Sequence, residues 1–174
     1  LPDLWQRHML DSAQIYDIAK AVVAEQGRNI RPLNESTWLD LGSGAGFPGL
    51  VLSIMGVGQM HLVESDARKC TFMREVARET GANVIFHTCR IEKLAGQKDN
   101  PGQVDFISAR ALAKTDQLLA WAAPFRSQNT VCLFPKGQDV DFELEHLLEF
   151  DDSIIKKWPS RTQDQSVVLQ VTSH

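Results

Sequence analysis

The chain has 174 residues, of which 43% are hydrophobic and 23% charged, and its net charge is −4. This composition is typical of a globular protein with its own core, and it excludes an intrinsically disordered chain. The acidic balance argues against nucleic-acid binding by bulk electrostatics, so any such role must depend on a local basic face.

Membrane proteins and disulfide-stapled proteins are also disfavoured by the sequence. No apolar run approaches the roughly 18 residues of a membrane span and no signal-peptide pattern opens the chain, so we expect a cytoplasmic protein without a membrane partner. The cysteines Cys70, Cys89 and Cys132 are far apart and outside any C-x-x-C pair. We therefore expect free thiols in a reducing compartment, with neither a disulfide framework nor a metal site.

Apolar spacing divides the chain into an N-terminal helix and a strand–helix alternation. Residues 4–24 predict an amphipathic helix, and the turn-rich residues 27–36 predict a connection. The predicted strands that follow cover 37–41, 60–65, 83–89, 104–109 and 130–134, and the predicted helices cover 48–55, 66–80, 114–123 and 140–149. The last two apolar runs, 153–158 and 166–172, have no helical pattern between them and predict an antiparallel hairpin.

This order of elements predicts an α/β fold. Alternating strands and helices favour a doubly wound, mostly parallel sheet that is covered by helices on both faces. We expect residues 1–174 to form a single domain, with an N-terminal helical extension and connection over 1–36 and the core over 37–174.

A glycine-rich loop follows the first predicted strand, within the segment WLDLGSGAGFPGL. Glycines let the backbone turn sharply and approach a ligand closely at the start of a helix. The frame Gly42, Gly44, Gly46 suits a nucleoside. The dinucleotide fingerprint can also be found in Gly44, Gly46 and Gly49, but it starts two residues later and contains Pro48.

Two further segments lie at strand ends where a nucleoside would meet them. Glu64 ends the second strand 22 residues after Gly42, which is about where an acidic residue bonds a ribose diol. Arg90, Ile91 and Glu92 follow the third strand and are expected to border the base. Arg110 ends the fourth strand, so we expect its side chain in the ligand crevice.

At this point the sequence resembles a known family. The segments RHMLDS, LDLGSGAGFPGL, LVES with Lys69 soon after, RIEKL, SARALA and FPKG occur in this order. Together they resemble the bacterial 16S ribosomal RNA guanine-N7 methyltransferases, also called the glucose-inhibited division protein B family, over nearly the whole chain. The resemblance implies a Rossmann-like class I methyltransferase fold, S-adenosyl-L-methionine as cofactor, and one guanine of 16S rRNA, free or in the 30S subunit, as acceptor.

The resemblance also implies roles for individual residues. The family usually has alanine where this chain has Ile91, which favours a backbone contact there, and it usually begins some tens of residues earlier. Arg110 is assigned to the cleft between cofactor and substrate, as the catalytic residue. Arg7, His8 and Lys136 are the expected RNA-binding residues. The expected cofactor-binding residues are Gly42, Ser43, Gly44, Gly46, Phe47, Glu64, Ile91, Glu92 and Arg110.

The implied reaction requires little of the protein beyond holding the guanine in line with the methyl group. Guanine N7 presents a free lone pair, so it can attack a methyl group in line without a general base. The sequence agrees, because it contains no convincing nucleophile–base arrangement and no metal cluster. We expect a monomer.

Two other functions stay open at this level. An NAD-dependent oxidoreductase would also explain the glycines and Glu64, but the chain has no evident substrate domain. A non-catalytic ribosome-binding module that keeps a vestigial pocket is the second alternative, although the glycine loop is intact.

Overall fold

The computed structural model describes residues 5–27, 30–147 and 153–173. A π-helical turn, Trp5–Leu10, leads into helix α1, and 3-10 turns cover Leu33–Glu35 and Ala123–Phe125. The helices are α1 (Asp11–Gln26), α2 (Gly49–Ile54), α3 (Ala67–Thr80), α4 (Ile91–Leu94), α5 (Thr115–Ala122) and α6 (Val140–Leu147). The strands are β1 (Thr37–Leu41), β2 (Gln59–Val63), β3 (Val84–His87), β4 (Phe106–Ala109), β5 (Val131–Lys136), β6 (Ile154–Pro159) and β7 (Val167–Thr172).

These strands form one sheet in the order β3–β2–β1–β4–β5–β7–β6. Strands β1 to β5 are parallel, whereas β7 is antiparallel to both β5 and β6. The doubly wound fold and its C-terminal hairpin are therefore confirmed. Strand order reverses between β1 and β4, which opens a crevice at their carboxyl ends where ligands bind in such sheets.

The structure differs from the sequence prediction at the N-terminal helix and after β3, and most other predicted bounds shift by one or two residues. The N-terminal helix starts as a π-helical turn, and α1 runs to Gln26. Helix α4 was not predicted, because four residues are too few to show a period. The first residue of the predicted helix 4–24 and the last two of the predicted helix 140–149 lie outside the described residues.

Helices cover both faces of the sheet because its strands are apolar on both sides. One cluster of buried side chains includes Trp38 and Phe106, and α1 adds Ile15 and Val22 to it. The other includes Leu39 of β1, against which α5 and α6 pack. None of the helices in the described ranges combines the length and apolarity that a membrane crossing requires.

A buried polar network joins β1, β4 and the start of α2. The indole N–H of Trp38 donates to Ser108 Oγ (3.0 Å), which donates in turn to Asp40 Oδ1 (2.6 Å). Asp40 Oδ2 accepts the backbone N–H of Gly49 (3.3 Å). A Cβ at Gly49 would lie 2.4 Å from Leu62, so glycine is required for this close approach of helix and sheet. The network therefore fixes the far end of the glycine loop.

The carboxyl group of Asp40 makes stability dependent on pH. Asp40 is fully buried, and burial raises its pKa from 3.8 to about 6, although its hydrogen bonds with Ser108, Ser43 and Gly49 and the charge of Arg110 oppose the shift. Below pH 3.8 both the folded and the unfolded chain carry the proton. As pH rises toward 6 the unfolded chain releases it first, so the stability that this group contributes is lost across that window.

We expect the difference in free energy of unfolding between the natural protein and Asp40→Asn to fall by about 3 kcal/mol between pH 4 and pH 7, since two pKa units correspond to that energy. Parallel urea denaturation at pH 4, 5, 6 and 7 measures it. Other titrating groups largely cancel in the comparison. A difference that stays constant over this range would contradict the prediction.

Candidate active site

The glycine loop turns its backbone toward the crevice. Gly42 and Gly44 have φ angles of +65° and +58°, in the left-handed region that favours glycine. Between them, the Ser43 N–H donates to Val63 O (2.9 Å) and its hydroxyl donates to Asp40 O (3.1 Å). Ser43 therefore anchors the loop to β1 through its buried side chain and to β2 through its backbone N–H.

Glu64 lies beside this loop at the end of β2. Its carboxylate accepts the Gly44 N–H (3.0 Å) at Oε2 and the Asp66 N–H (2.8 Å) at Oε1, and the residue is 9% exposed. Each oxygen keeps further lone-pair capacity, because a carboxylate can accept about four hydrogen bonds. Two backbone N–H groups thus hold the Glu64 carboxylate in place beside the glycine loop.

A cavity of about 390 Å³ opens over β3, β2, β1 and β4, and we call it the first cavity. The glycine loop and Glu64 form its floor, with Ile91 and Trp121 as apolar wall. The described residues that line it are Gly42, Gly44, Val63, Glu64, Ser65, Lys69, Cys89, Arg90, Ile91, Glu92, Arg110, Ala111, Leu112 and Trp121.

Arg110 connects this cavity with the N-terminal segment. Its guanidinium donates to Arg7 O (3.1 Å) and lies 3.6 Å from Asp11 Oδ2. The same guanidinium sits 5.3 Å above the centre of the Phe47 ring, and the His8 ring stacks on Phe47 at 5.1 Å. The glycine loop and the first turn of the chain are therefore held together around Arg110.

A second cavity, of about 460 Å³, lies on the other side of Arg110 over β4, β5 and β7. Its wall is built by the start of α1, by the end of β5 and by loop 160–166, which joins β6 to β7. Its lining includes Arg7, His8, Asp11, Arg110, Lys136 and Gln163. Within the described part of the chain, His8 Nδ1 is buried without a hydrogen-bond partner. Arg110 and Ala111 line both cavities.

Lys136 is held within the protein at the rim of the second cavity. Its side chain is 9% exposed, and Nζ donates to Ala113 O (3.0 Å) and to Glu143 Oε2 (2.8 Å). The same carboxylate oxygen accepts the N–H and the hydroxyl of Thr115. Burial would raise the pKa of Glu143, but these hydrogen bonds and the Lys136 charge hold it below its usual value. Lys136 and Glu143 thereby anchor segment 110–114.

Loop 160–166 is tied to α1 by several hydrogen bonds. Asp11 Oδ1 accepts from the Thr162 hydroxyl (2.8 Å) and from the Gln14 amide (2.7 Å). Gln14 Oε1 accepts the Arg161 N–H (2.9 Å), and the Arg161 guanidinium donates to Asp17 (3.1 Å). This loop reaches the ligand-binding edge because β7 starts opposite the end of β5.

The predicted site residues separate into three groups in the structure. Those that line the first cavity are Gly42, Gly44, Glu64, Ile91, Glu92 and Arg110. Arg7, His8 and Lys136 line the second cavity. Ser43, Gly46 and Phe47 shape the loop: a Cβ at Gly46 would lie 2.8 Å from Leu50, and Phe47 stacks under Arg110 and His8.

Sequence reasoning missed Trp121, Glu143 and Gln163. Their places depend on helix and hairpin packing that strand ends alone do not reveal. Only for loop 160–166 was a signal available, since an antiparallel hairpin after β5 must turn at this edge. Among the residues described, no group of three or more His, Cys, Asp or Glu side chains is placed to hold a metal ion.

Comparison with known proteins agrees with this geometry. Curated ribosomal RNA small subunit methyltransferases G from Methylorubrum populi and Parvibaculum lavamentivorans are 44% and 49% identical to the chain. The first alignment covers 99% of this chain and 76% of that protein, and the second covers 98% and 71%.

Solved structures share the fold at low sequence identity. A ribosomal protein L11 methylase from Lactobacillus delbrueckii subsp. bulgaricus has a TM-score of 0.65 and 18% identity over 88% of this chain and 76% of that one. A mutant of MtNAS in complex with S-adenosylmethionine has a TM-score of 0.62 and 17% identity over 91% of this chain and 62% of that one.

The family model described as GidB, rRNA small subunit methyltransferase G, matches residues 1–157. That match includes the glycine loop, Glu64, Arg110 and Lys136. The chain therefore belongs to the GidB family of rRNA small subunit methyltransferases.

Proposed function

We propose that this protein transfers a methyl group from S-adenosylmethionine to N7 of a guanine in 16S ribosomal RNA. Family membership supports methylation of small-subunit rRNA. The observation that carries the proposal is the pair of cavities that share Arg110. The first cavity has the features of a nucleoside cofactor site, and the second cavity is open to a nucleobase.

The side chains that line the first cavity suit the chemical groups of S-adenosylmethionine. Glu64 is fixed beside the glycine loop with acceptor capacity for a ribose diol. Ile91 and Trp121 provide apolar surface for an adenine, and Lys69 and Arg110 supply positive charge for the amino-acid carboxylate. A Cβ added at Gly44 would have no atom closer than 3.9 Å, so the glycine leaves open space beside Glu64.

The same loop fits a dinucleotide less well. A pyrophosphate would need the free N–H groups at the start of the glycine loop. Here the Gly44 N–H donates to Glu64, and the nearby carboxylate would repel a phosphate. This favours the nucleoside frame, Gly42, Gly44 and Gly46, over the dinucleotide frame and disfavours the oxidoreductase alternative.

The protein's part in the reaction is to hold and orient the two substrates. Bound S-adenosylmethionine supplies a methyl group on a positively charged sulfur, which a nitrogen lone pair can attack. Guanine N7 needs no deprotonation, so His8 is not required as a base, and its ring, which lines the second cavity, is available to orient the guanine. Arg110 faces both cavities and fixes their relative position. Such positioning can supply ~7–11 kcal/mol.

We propose a positioning role for Lys136 in place of the RNA contact that the family resemblance implies. Its ammonium already has two acceptors and little exposure to solvent. Through Ala113 it holds the segment that begins with Arg110. Arg7, whose guanidinium pairs with no other described residue, is the better candidate for the RNA backbone.

The remaining parts of the proposal concern the whole molecule. We propose that residues 1–174 act as one domain, because α1 buries Ile15 and Val22 in the core of the sheet. We propose a cytoplasmic monomer that takes either free 16S rRNA or the 30S subunit as substrate, since the acidic net charge of −4 favours a partner that supplies part of the recognition.

Labelled methyl transfer to 30S subunits and to free 16S rRNA tests the function directly. We expect label in at least one of them, recovered as 7-methylguanine after nucleoside analysis and mapped to one position. Calorimetry should show binding of S-adenosylmethionine and none of NADH. Absence of transfer to both substrates would overturn the proposal, and cofactor binding without transfer would favour the non-catalytic module.

Replacement of Arg110 by alanine should lower kcat/KM for methyl transfer about 100-fold, the effect of a small misplacement of reacting groups. Arg110→Lys should recover only part of this, because lysine lacks the planar fork that reaches both Arg7 O and Phe47. Arg78→Ala, at an exposed position on α3, is the control and should leave the rate unchanged. Near-normal cofactor affinity and transfer in Arg110→Ala would contradict the assigned role.

Lys136→Met should destabilise the fold by about 2 kcal/mol, because it leaves Glu143 and Ala113 O without their donor. It should also lower kcat, while the dependence of KM on salt stays as in the natural protein. If Lys136 contacted a phosphate, its removal would instead reduce the slope of log affinity against log salt concentration by about 1. Lys20→Met on the exposed face of α1 is the matched control. A reduced slope with unchanged stability would refute the positioning role.

A further inference from the structure

A third cavity, of about 430 Å³, adjoins the second one and shares no described lining residue with the first. The described residues that line it are Gln6, Arg7, Asp11, Thr162 and Gln163. Arg7, Asp11 and Gln163 also line the second cavity. The three cavities therefore follow one another along the carboxyl edge of the sheet, joined by shared residues at each boundary.

The third cavity is lined by two residues that are hydrogen-bonded to each other and by three polar side chains that have no partner among the described residues. Asp11 and Thr162 are bonded to each other (2.8 Å), so they form part of the α1–loop contact. The side chains of Gln6, Arg7 and Gln163, by contrast, form no hydrogen bond or ion pair with any other described residue. Two amides and one guanidinium thus line this space without a partner in the part of the chain that the structure describes.

These groups have the chemistry of nucleotide recognition. A glutamine amide offers one acceptor and two donors, which can bond the edge of a base, and arginine binds phosphate through paired N–H donors. Sequence-specific recognition of RNA mostly uses unstacked bases in single-stranded segments. The cavity volume is also within the range of small-ligand sites.

We propose that the third cavity is a subsite for the nucleotide next to the target guanine in the RNA strand. This inference rests on the proposed function, because it takes the second cavity as the site of the target base. Gln6 and Gln163 hydrogen-bond the edge of the neighbouring base, and Arg7 contacts the phosphate between the two nucleotides. The enzyme thereby reads sequence beside the base that it methylates.

The geometry favours a nucleotide of the same strand over an unrelated ligand. Arg7 and Gln163 lie on the boundary between the cavities, where the backbone linking two consecutive nucleotides must pass. Asp11 on that boundary is paired with Arg110 (3.6 Å) and accepts hydrogen bonds from Gln14 and Thr162, which weakens its repulsion of a phosphate. Gln6 and Thr162 line the third cavity and not the second, which makes Gln6 the diagnostic residue.

The test measures methyl transfer to small subunits in which the nucleotides flanking the mapped guanine are replaced one at a time. With the natural protein, one flanking position should matter, and the wrong base there should lower kcat/KM about tenfold. Gln6→Ala and Gln163→Ala should remove most of that discrimination and raise KM for the natural subunit, with cofactor affinity unchanged. Gln128→Ala, exposed at the opposite edge of the sheet, should behave as the natural protein does.

The possible results separate the two proposals. If both glutamine variants keep the full discrimination of the natural protein, the third cavity is not a base subsite, and the proposed function stands. If the natural protein is indifferent to both neighbours, the subsite is likewise refuted. If the natural protein transfers no methyl group to subunits or to free rRNA, the proposed function fails and this inference fails with it. Since both glutamines are exposed, circular dichroism melts should show unchanged folding.

Discussion

The acceptor side of the site depends on the hydrogen-bond cluster between α1 and loop 160–166. Asp11 and Gln14 bond Arg161 and Thr162, which lie about 150 positions later in the chain. Without these contacts the second and third cavities would lose one wall, because the other links of the loop are its ends in β6 and β7 and, among the described residues, a side-chain hydrogen bond between Gln138 and Gln165. A fully bonded polar cluster of this kind specifies one arrangement, since each broken bond would leave a partly buried group unpaired. The two ends of the chain thus cooperate in one surface.

The charged groups at the site act on their immediate neighbours, and the net charge of the chain does not describe them. The chain is acidic overall, and two cations at the carboxyl edge of the sheet already have partners within the protein: Lys136 pairs with Glu143, and Arg110 bonds Arg7 O and lies beside Asp11. Ion pairs of this kind position groups more than they attract a distant polyanion. Recognition of RNA is therefore expected from the shape of the cavities and from base-edge hydrogen bonds, with Arg7 as a local phosphate contact.

Strand ends made much of the site predictable from the sequence. β1 covers the predicted residues 37–41, and Gly42, Glu64 and Arg110 follow β1, β2 and β4 at the edge where parallel strands end together. The contacts that could not be predicted depend on how helices and strands pack in the folded chain. The pairing of Lys136 with Glu143 requires the packing of α6 beside α5, and the position of Gln163 requires the antiparallel pairing of β7 with β5. No local pattern encodes either contact.

Segment 110–114 couples the cofactor side to the acceptor side. At one end Arg110 is bonded to Arg7 O, and at the other Ala113 O accepts from Lys136. Between them Ala111 has a φ of +51°, a conformation that side-chain-bearing residues rarely adopt, and Leu112 fills the space where Gly42 has no Cβ. A side chain at position 42 would displace Leu112 and, through it, Arg110. The glycine at the floor of the first cavity therefore also determines where the wall of the second one stands.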